Sequence, residues 1–199
     1  MNLKHKKQLP AAPVANAPAG VSCEIADSVL AKWNPALRPA AKADAPSTIT
    51  IFDPVGFDPW SGEGVTASRI AAALRSIGKG NPVDVLINSP GGDVFEGMAI
   101  YNLLREHDGE VRVKVIGLAA SIASIIAMAG DEVQIARSGF LMIHNSWVVA
   151  GGNRHDLRAV AGTLEPFDGG LAGVYVARTG MDGKQGAKMM GSETWINGE

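Results

Sequence analysis

An alternation of strand patterns with helix patterns constrains the fold of this chain more than any other feature of its sequence. Segments 48–52, 83–88 and 111–116 alternate apolar residues with others, as strands with one buried face do. A helix pattern follows each of them, and two further strands are expected at 131–136 and 140–144. Strands that alternate with helices predict an α/β fold with a mainly parallel sheet.

Capping residues mark where the first two helices begin. Thr66 is expected to cap the first helix, whose apolar residues recur at helical spacing up to Gly78. Asp93 and Glu96 form the aspartate variant of a capping box for the second. The first helix is therefore predicted to follow its strand after a Gly/Pro loop, and the second after the turn 89–92.

The third strand leads to Ser121, beside which a short apolar helix over 122–129 is expected to begin. Free N–H groups and the positive end of the helix dipole favour an anion there, and this suits a nucleophile. The alternative is that Ser121 and Ser124 are small residues that let the helix pack closely. Ser124 lies one helical turn further on and is expected to face the packing.

Two other segments carry groups that acyl-transfer chemistry requires. Gly91 and Gly92 follow the second strand, where a backbone without β-carbons can present N–H groups to an oxyanion. His144 ends the last predicted strand. The carboxyl ends of parallel strands meet at one edge of a sheet, so these residues and Ser121 are expected to lie close together. A serine, a histidine and an N–H cradle are the parts of a serine hydrolase.

The segments 87–92, 117–121 and 141–144 closely resemble motifs of the Clp protease proteolytic subunit family, both in sequence and in their order along the chain. The resemblance covers the chain from Thr48 onward. It implies a crotonase-like α/β fold of repeated strand-strand-helix units. It also implies a serine endopeptidase that assembles as a homo-oligomer, with a ring as the expected form.

The same resemblance assigns roles to individual residues. It makes Ser121 the nucleophile and His144 the general base, and it gives the oxyanion hole to the backbone N–H groups of Gly92 and Ile122. Glu193 falls where the family has its aspartate, as the third triad member. Asp168 is the alternative acid, although a solvated helix residue is the simpler interpretation of it.

Within the family, segments 89–102, 126–132, 142–145 and 193–195 are similar to the Clp-like head maturation proteases of tailed bacteriophages and prophages. This similarity implies cleavage of capsid or scaffold proteins during head assembly without an ATPase partner. Two alternatives remain open. One is a housekeeping subunit that works with an ATPase unfoldase, and the other is a catalytically inactive, ring-forming assembly protein.

Composition and short motifs argue against several classes of protein. A net charge of −2 and a pI near 6.1, with no basic stripe, disfavour nucleic-acid binding. The single cysteine, Cys23, excludes an internal disulfide, and the four histidines lack metal-ligand spacing. The longest apolar stretch, 116–129, is too short to span a bilayer, and no P-loop pattern is present. We therefore expect a cytoplasmic protein, in a bacterial host or a phage prohead, with no metal and no organic cofactor.

The chain is expected to divide into a mostly flexible Ala/Pro-rich arm over 1–47 and a protease domain over 48–199 that is truncated at its C-terminus. A short helix around 25–33 is the one element expected in the arm. The alternative to a flexible arm is a docking or self-processing segment. A long helix is predicted from Asn153 toward Ala177, with a kink or break near Pro166.

The remaining candidates have simpler interpretations. Trp147, Val148 and Val149 are equally consistent with a strand that binds an extended peptide and with strand packing. His155 is expected on the solvated surface. His107 is expected at a helix C-terminus, where a cation suits the dipole.

Overall fold

The computed structural model describes residues 25–33, 47–56 and 64–198. Most of the predicted arm, Cys23 included, lies outside these residues, and the division into arm and protease domain stays a prediction. None of the helices in the described ranges has the length and apolar character needed to cross a bilayer.

Six helices and six strands make up the described part of the chain. The helices are α1 (Asp27–Leu30), α2 (Ala67–Ile77), α3 (Val94–Glu106), α4 (Ile122–Ala127), α5 (Arg154–Thr179) and α6 (Gly183–Gly191). The strands are β1 (Thr48–Ile51), β2 (Val83–Ser89), β3 (Val111–Ala120), β4 (Glu132–Ile135), β5 (Phe140–Ile143) and β6 (Thr194–Asn197).

One six-stranded sheet organises these elements, in the order β1-β2-β3-β5-β6, with β4 also paired to β3. All pairings are parallel except that of β6 with β5. The prediction of an α/β fold with a mainly parallel sheet is confirmed.

Strand β3 is the centre of the sheet and is longer than the predicted segment 111–116. Its first half pairs with β4, and Leu118–Ala120 pairs with β5 on the same side. The small residues expected to close the strand instead continue it to Ala120. They can do so because Ala119 and Ala120 are fully buried between neighbouring elements.

The core is formed by the apolar faces of the strands together with α2, α3, α4 and the second half of α5. Helix α3 packs closely on α4 at Gly97, where an added β-carbon would lie 2.1 Å from Cγ1 of Ile122. Ile122 is nearly inaccessible to solvent. This contact fixes the first residue of α4, which follows Ser121 directly.

The capping predictions are confirmed in part. Thr66 Oγ1 accepts from the Arg69 N–H at 3.2 Å, and Asp93 accepts from two N–H groups of α3. The capping box itself is wrong, because the Asp93 N–H donates to Val55 O. The Glu96 carboxylate accepts from the Ala67 N–H at 2.6 Å instead and so joins α3 to the start of α2.

Of the kink or break expected near Pro166, the break is wrong. Helix α5 is a single helix of 26 residues with Pro166 inside it. Asn153 caps it with a reciprocal capping box, and Leu171, Ala172, Val174 and Tyr175 anchor its second half in the core. Burial of that half and a strong N-terminal cap offset the lost hydrogen bond.

The short helix around 25–33 is confirmed as α1, and it packs on the sheet. Val29 is fully buried against Leu118, Ala120 and Met142. The Trp33 indole N–H donates to Asn88 O at 3.1 Å. These nine described residues of the predicted arm are therefore docked on the protein.

Candidate active site

Ser121 occupies a strained junction between β3 and α4. Its backbone has φ 54° and ψ −129°, a region that residues other than glycine rarely adopt and that costs about 1–3 kcal/mol. The Ser121 N–H donates to Met142 O at 2.9 Å, which ties the junction to β5. A serine on a sharp strand-to-helix turn has its hydroxyl lifted out of the sheet, as nucleophilic serines require.

Gly91 makes room for this junction. A β-carbon at Gly91 would lie 2.7 Å from both the Ser121 β-carbon and Ala120 O, and its φ of 93° also favours glycine. The turn after β2 and the turn after β3 therefore meet without an intervening side chain.

His144 follows β5 directly and reaches Ser121. β5 pairs in parallel with the end of β3, so both residues lie at the carboxyl edge of the sheet. The His144 Nε2 atom is 2.7 Å from Ser121 Oγ. When the imidazole proton is on Nδ1, Nε2 accepts the serine proton, which is the arrangement that a general base needs.

The surroundings of His144 set its proton affinity. Burial lowers the pKa of the imidazole below its usual 6.5, and the negative charges of Glu193 and Asp168 partly oppose this by raising it. Burial prevails, so the imidazole is neutral at pH 7. A neutral imidazole beside a serine hydroxyl is ready to accept its proton.

Two backbone N–H groups are placed for an oxyanion. Gly92 forms a parallel bridge with Val55 in which Val55 N donates to Gly91 O and Asp93 N donates to Val55 O, so the bridge leaves the Gly92 N–H unused. Ile122 is the first residue of α4, where an N–H has no partner within the helix. Both residues line the same pocket as Ser121 and His144.

Glu193 is brought to the histidine by the pairing of β6 with β5. Thr194 lies opposite Ile143 in this pairing, and Glu193 and His144 are the residues next to that pair in the chain. The backbone of Glu193 has φ 47°, and its Oε1 accepts from the Trp195 indole N–H at 3.2 Å and the Ser28 hydroxyl at 3.4 Å. The structure thus places the acid close enough to act on the pKa of His144.

Asp168 is not the solvated helix residue of the simpler interpretation. It is half-buried on α5, and its Oδ1 accepts from the Ser146 N–H at 2.6 Å. This bond fastens the segment after His144 to α5. The carboxylate therefore has a structural partner and also raises the pKa of His144.

Ser124 faces the packing, as expected from its place on the helix. It is fully buried, and its Oγ donates to Ser121 O at 2.5 Å and lies 2.7 Å from the Tyr175 hydroxyl. Burial raises the pKa of Tyr175, so that side chain stays neutral. The sequence analysis did not identify Tyr175. The only signal for it was its position four residues after Leu171, which places both on one face of α5.

In addition to the residues already described, Leu171 and Tyr175 of α5 and Trp147 line the pocket around the serine. The segment after His144 is irregular apart from an isolated bridge at Val149, and Trp147 and Val149 are exposed. Peptide binding along this segment stays a prediction. Of the other histidines, His155 is exposed and His107 caps the end of α3, both as expected.

Comparison with known proteins agrees with this geometry. The sequence profile of the family described as "Clp protease" matches residues 63–199, more than half of the chain. The chain belongs to the Clp protease family. Its mainly parallel sheet and its Clp protease domain together confirm the crotonase-like α/β fold.

Three relatives of this Clp protease family chain are all named as ATP-dependent Clp protease proteolytic subunits. A protein of Deinococcus radiodurans named "ATP-dependent Clp protease proteolytic subunit" is 31% identical over 59% of this chain and 60% of its own length. Proteins named "ATP-dependent Clp protease proteolytic subunit 1" from Salinibacter ruber and Prochlorococcus marinus are 26% and 30% identical, over 63% and 59% of this chain. The chain spans 55% and 63% of those two relatives.

Proposed function

We propose that this protein is a serine endopeptidase in which Ser121, His144 and Glu193 form the catalytic triad. The observation that carries the proposal is the 2.7 Å contact between Ser121 Oγ and His144 Nε2 at a strained strand-to-helix junction. Membership of the Clp protease family supports it.

The mechanism follows from these positions. Ser121 Oγ attacks the scissile carbonyl carbon as His144 Nε2 takes its proton, and the oxyanion accepts hydrogen bonds from the Gly92 and Ile122 N–H groups. His144 then gives the proton to the leaving amine, and the C–N bond breaks to leave an acyl-enzyme. Water, deprotonated by His144, attacks the ester and releases the acid product and free Ser121. The negative charge of Glu193 stabilises the imidazolium in both halves of the reaction.

The substrate proposed is a capsid or scaffold protein cleaved during phage head maturation, in the host cytoplasm or the prohead. Its support is the similarity of segments 89–102, 126–132, 142–145 and 193–195 to the phage enzymes. A second candidate, a housekeeping subunit fed by an ATPase unfoldase, is favoured by the names of the relatives, which describe ATP-dependent proteolytic subunits.

A ring-shaped homo-oligomer is part of the proposal. It is supported by family membership. Sedimentation velocity on the full chain tests it, and a sharp monomer peak at micromolar concentration would contradict it.

The test of the activity is labelling with a fluorophosphonate probe, followed by peptide mass spectrometry, with Ser121→Ala as the control. Label on Ser121 that vanishes in the alanine variant supports an active serine hydrolase. A folded oligomer that takes no label would instead favour an inactive assembly protein. Digestion of a folded protein without ATP separates the two active candidates, because only the housekeeping subunit would need an unfoldase.

A further inference from the structure

The N-terminal segment 25–33 lies against the residues that carry the proposed acid. Helix α1 is anchored by the fully buried Val29, and Trp33 fixes its far end by a hydrogen bond to Asn88 O. Two side chains of the segment then reach the β6 region: Ser28 contacts Glu193, and Lys32 contacts Trp195. The docked segment and the start of β6 thus form one contact surface.

Both donors at this surface act on the same atom. Glu193 Oε1 accepts from Trp195 Nε1 at 3.2 Å and from Ser28 Oγ in a longer bond of 3.4 Å. The Lys32 ammonium lies 3.8 Å from the centroid of the Trp195 ring, where a cation is attracted by the ring face. The indole that donates to Glu193 is therefore itself held in place by the docked segment.

An exposed glutamate needs such help. Its side chain loses rotamer freedom when it is fixed, and it is one methylene longer than the aspartate that a triad normally uses. Glu193 is exposed, and its own backbone adopts φ 47°. Two bonds to one carboxylate oxygen restrict the side chain, and its negative charge raises the pKa of His144.

We propose that Ser28 and Trp195 are positioning residues for Glu193, so that segment 25–33 belongs to the catalytic apparatus. This inference rests on the proposed function. It assigns a role to a segment for which the sequence predicted a short helix but no function. It also explains why α1 buries a valine on the sheet.

The proposal has an electrostatic consequence that a purely structural contact would not have. The acids acting on His144 are Glu193, before β6, and Asp168, on α5, and both raise its pKa; the cation nearest to this surface is Lys32. If Glu193 is released, its contribution falls and the pKa of His144 drops. The acid limb of the pH profile must then move to lower pH while the plateau rate falls.

The experiment compares four variants of the full chain: Ser28→Ala, Ser28→Thr, Trp195→Phe and Ser192→Ala. The rate of fluorophosphonate labelling and kcat/KM for a fluorogenic peptide are measured against pH. We expect Ser28→Ala and Trp195→Phe to lose a factor of about three to ten in plateau rate and to shift the acid limb downward. Ser28→Thr keeps a hydroxyl and is expected to retain the wild-type profile.

Ser192→Ala is the matched control, because it removes an exposed hydroxyl next to Glu193 for which no bond to the carboxylate is described. It is expected to behave as the wild type. Wild-type profiles in both Ser28→Ala and Trp195→Phe would overturn the inference while leaving the proposed function intact. A lower rate with an unmoved acid limb would also overturn it, since that is the signature of a merely structural contact. Absence of label in the wild type would refute the proposed function itself.

Discussion

Thr194 lies opposite Ile143 in the antiparallel pairing of β6 with β5, and the residues beside this pair are Glu193 and His144, whose pKa the glutamate raises. β5 is in turn paired with the end of β3, which leads to Ser121. Three chain segments that are far apart in sequence thus meet at one end of the sheet. The placement of the acid depends on the last strand of the described chain.

Glu193→Gln tests the third triad position. Glutamine keeps an oxygen that can accept from Trp195 but loses the charge that stabilises the imidazolium, so kcat/KM is expected to fall by about 100-fold to 10,000-fold. The pKa of His144 also falls, because Glu193 raises it. Steady-state kinetics against pH measure both effects. A variant with wild-type rates would exclude Glu193 from the triad.

Asp168→Asn tests the alternative acid, and its effect is compared with that of Glu193→Gln. The asparagine oxygen can still accept from the Ser146 N–H, so the segment after His144 stays fastened to α5. Loss of the negative charge lowers the pKa of His144, and the acid limb of kcat/KM moves to lower pH with a plateau within about threefold of the wild type. A loss as large as that of Glu193→Gln would identify Asp168 as the triad acid instead.

The pH dependence of the wild type has a definite sign. The reaction needs neutral His144, and burial lowers the pKa of this imidazole below 6.5. Activity is therefore expected to rise with pH through an apparent pKa below 6.5. Titration of the labelling rate between pH 4 and 8 measures it, and a midpoint above 6.5 would contradict the assignment.

Gly97→Ala is expected to damage both stability and catalysis. A β-carbon at Gly97 would lie 2.1 Å from Ile122 Cγ1, so α4 must move, at about 1–3 kcal/mol of unfolding free energy. The movement displaces the Ile122 N–H from the proposed oxyanion hole. Gly162→Ala on α5 is the matched control, because nothing lies within 4 Å of its added β-carbon. That change is expected to stabilise the helix by about 0.5–1 kcal/mol.

Ser124 and Tyr175 are expected to be coupled energetically. Their hydroxyls are 2.7 Å apart in the core, so Ser124→Ala leaves a buried Tyr175 hydroxyl short of a partner and costs about 1–3 kcal/mol. The double variant Ser124→Ala/Tyr175→Phe should cost less than the sum of the single changes. Urea denaturation measures the cycle. Ser121 should still take the fluorophosphonate label in Ser124→Ala, and loss of label from an intact fold would contradict the packing role.

Local sequence signals predicted the elements but not how they use their polar groups. Thr66 and Asp93 cap α2 and α3 as their positions indicate, since a cap involves only neighbouring residues. Glu96 was assigned to the same cap but bonds to Ala67 across two helices. That choice could not be read from the capping pattern, because the competing donor is distant in sequence.

The expected break at Pro166 failed for a similar reason. Proline weakens an isolated helix, but α5 is stabilised beyond that point by burial of Leu171, Val174 and Tyr175. The predicted strand 111–116 was too short in the same way. Its continuation to Ala120 consists of small residues with weak strand preference, and pairing with β2 and β5 supplies the stabilisation.

The sequence by itself determined the alternation of strands and helices, and the placement of Gly92, Ser121 and His144 at strand ends. These features follow from hydrophobic periodicity and chain order, which are local properties. Only the tertiary structure decided that Glu193 acts on the pKa of His144, that Ser28 and Trp195 share its carboxylate oxygen, and that Tyr175 supports Ser124. Those contacts depend on long-range pairing and packing, whose geometry is fixed only when the whole sheet has formed.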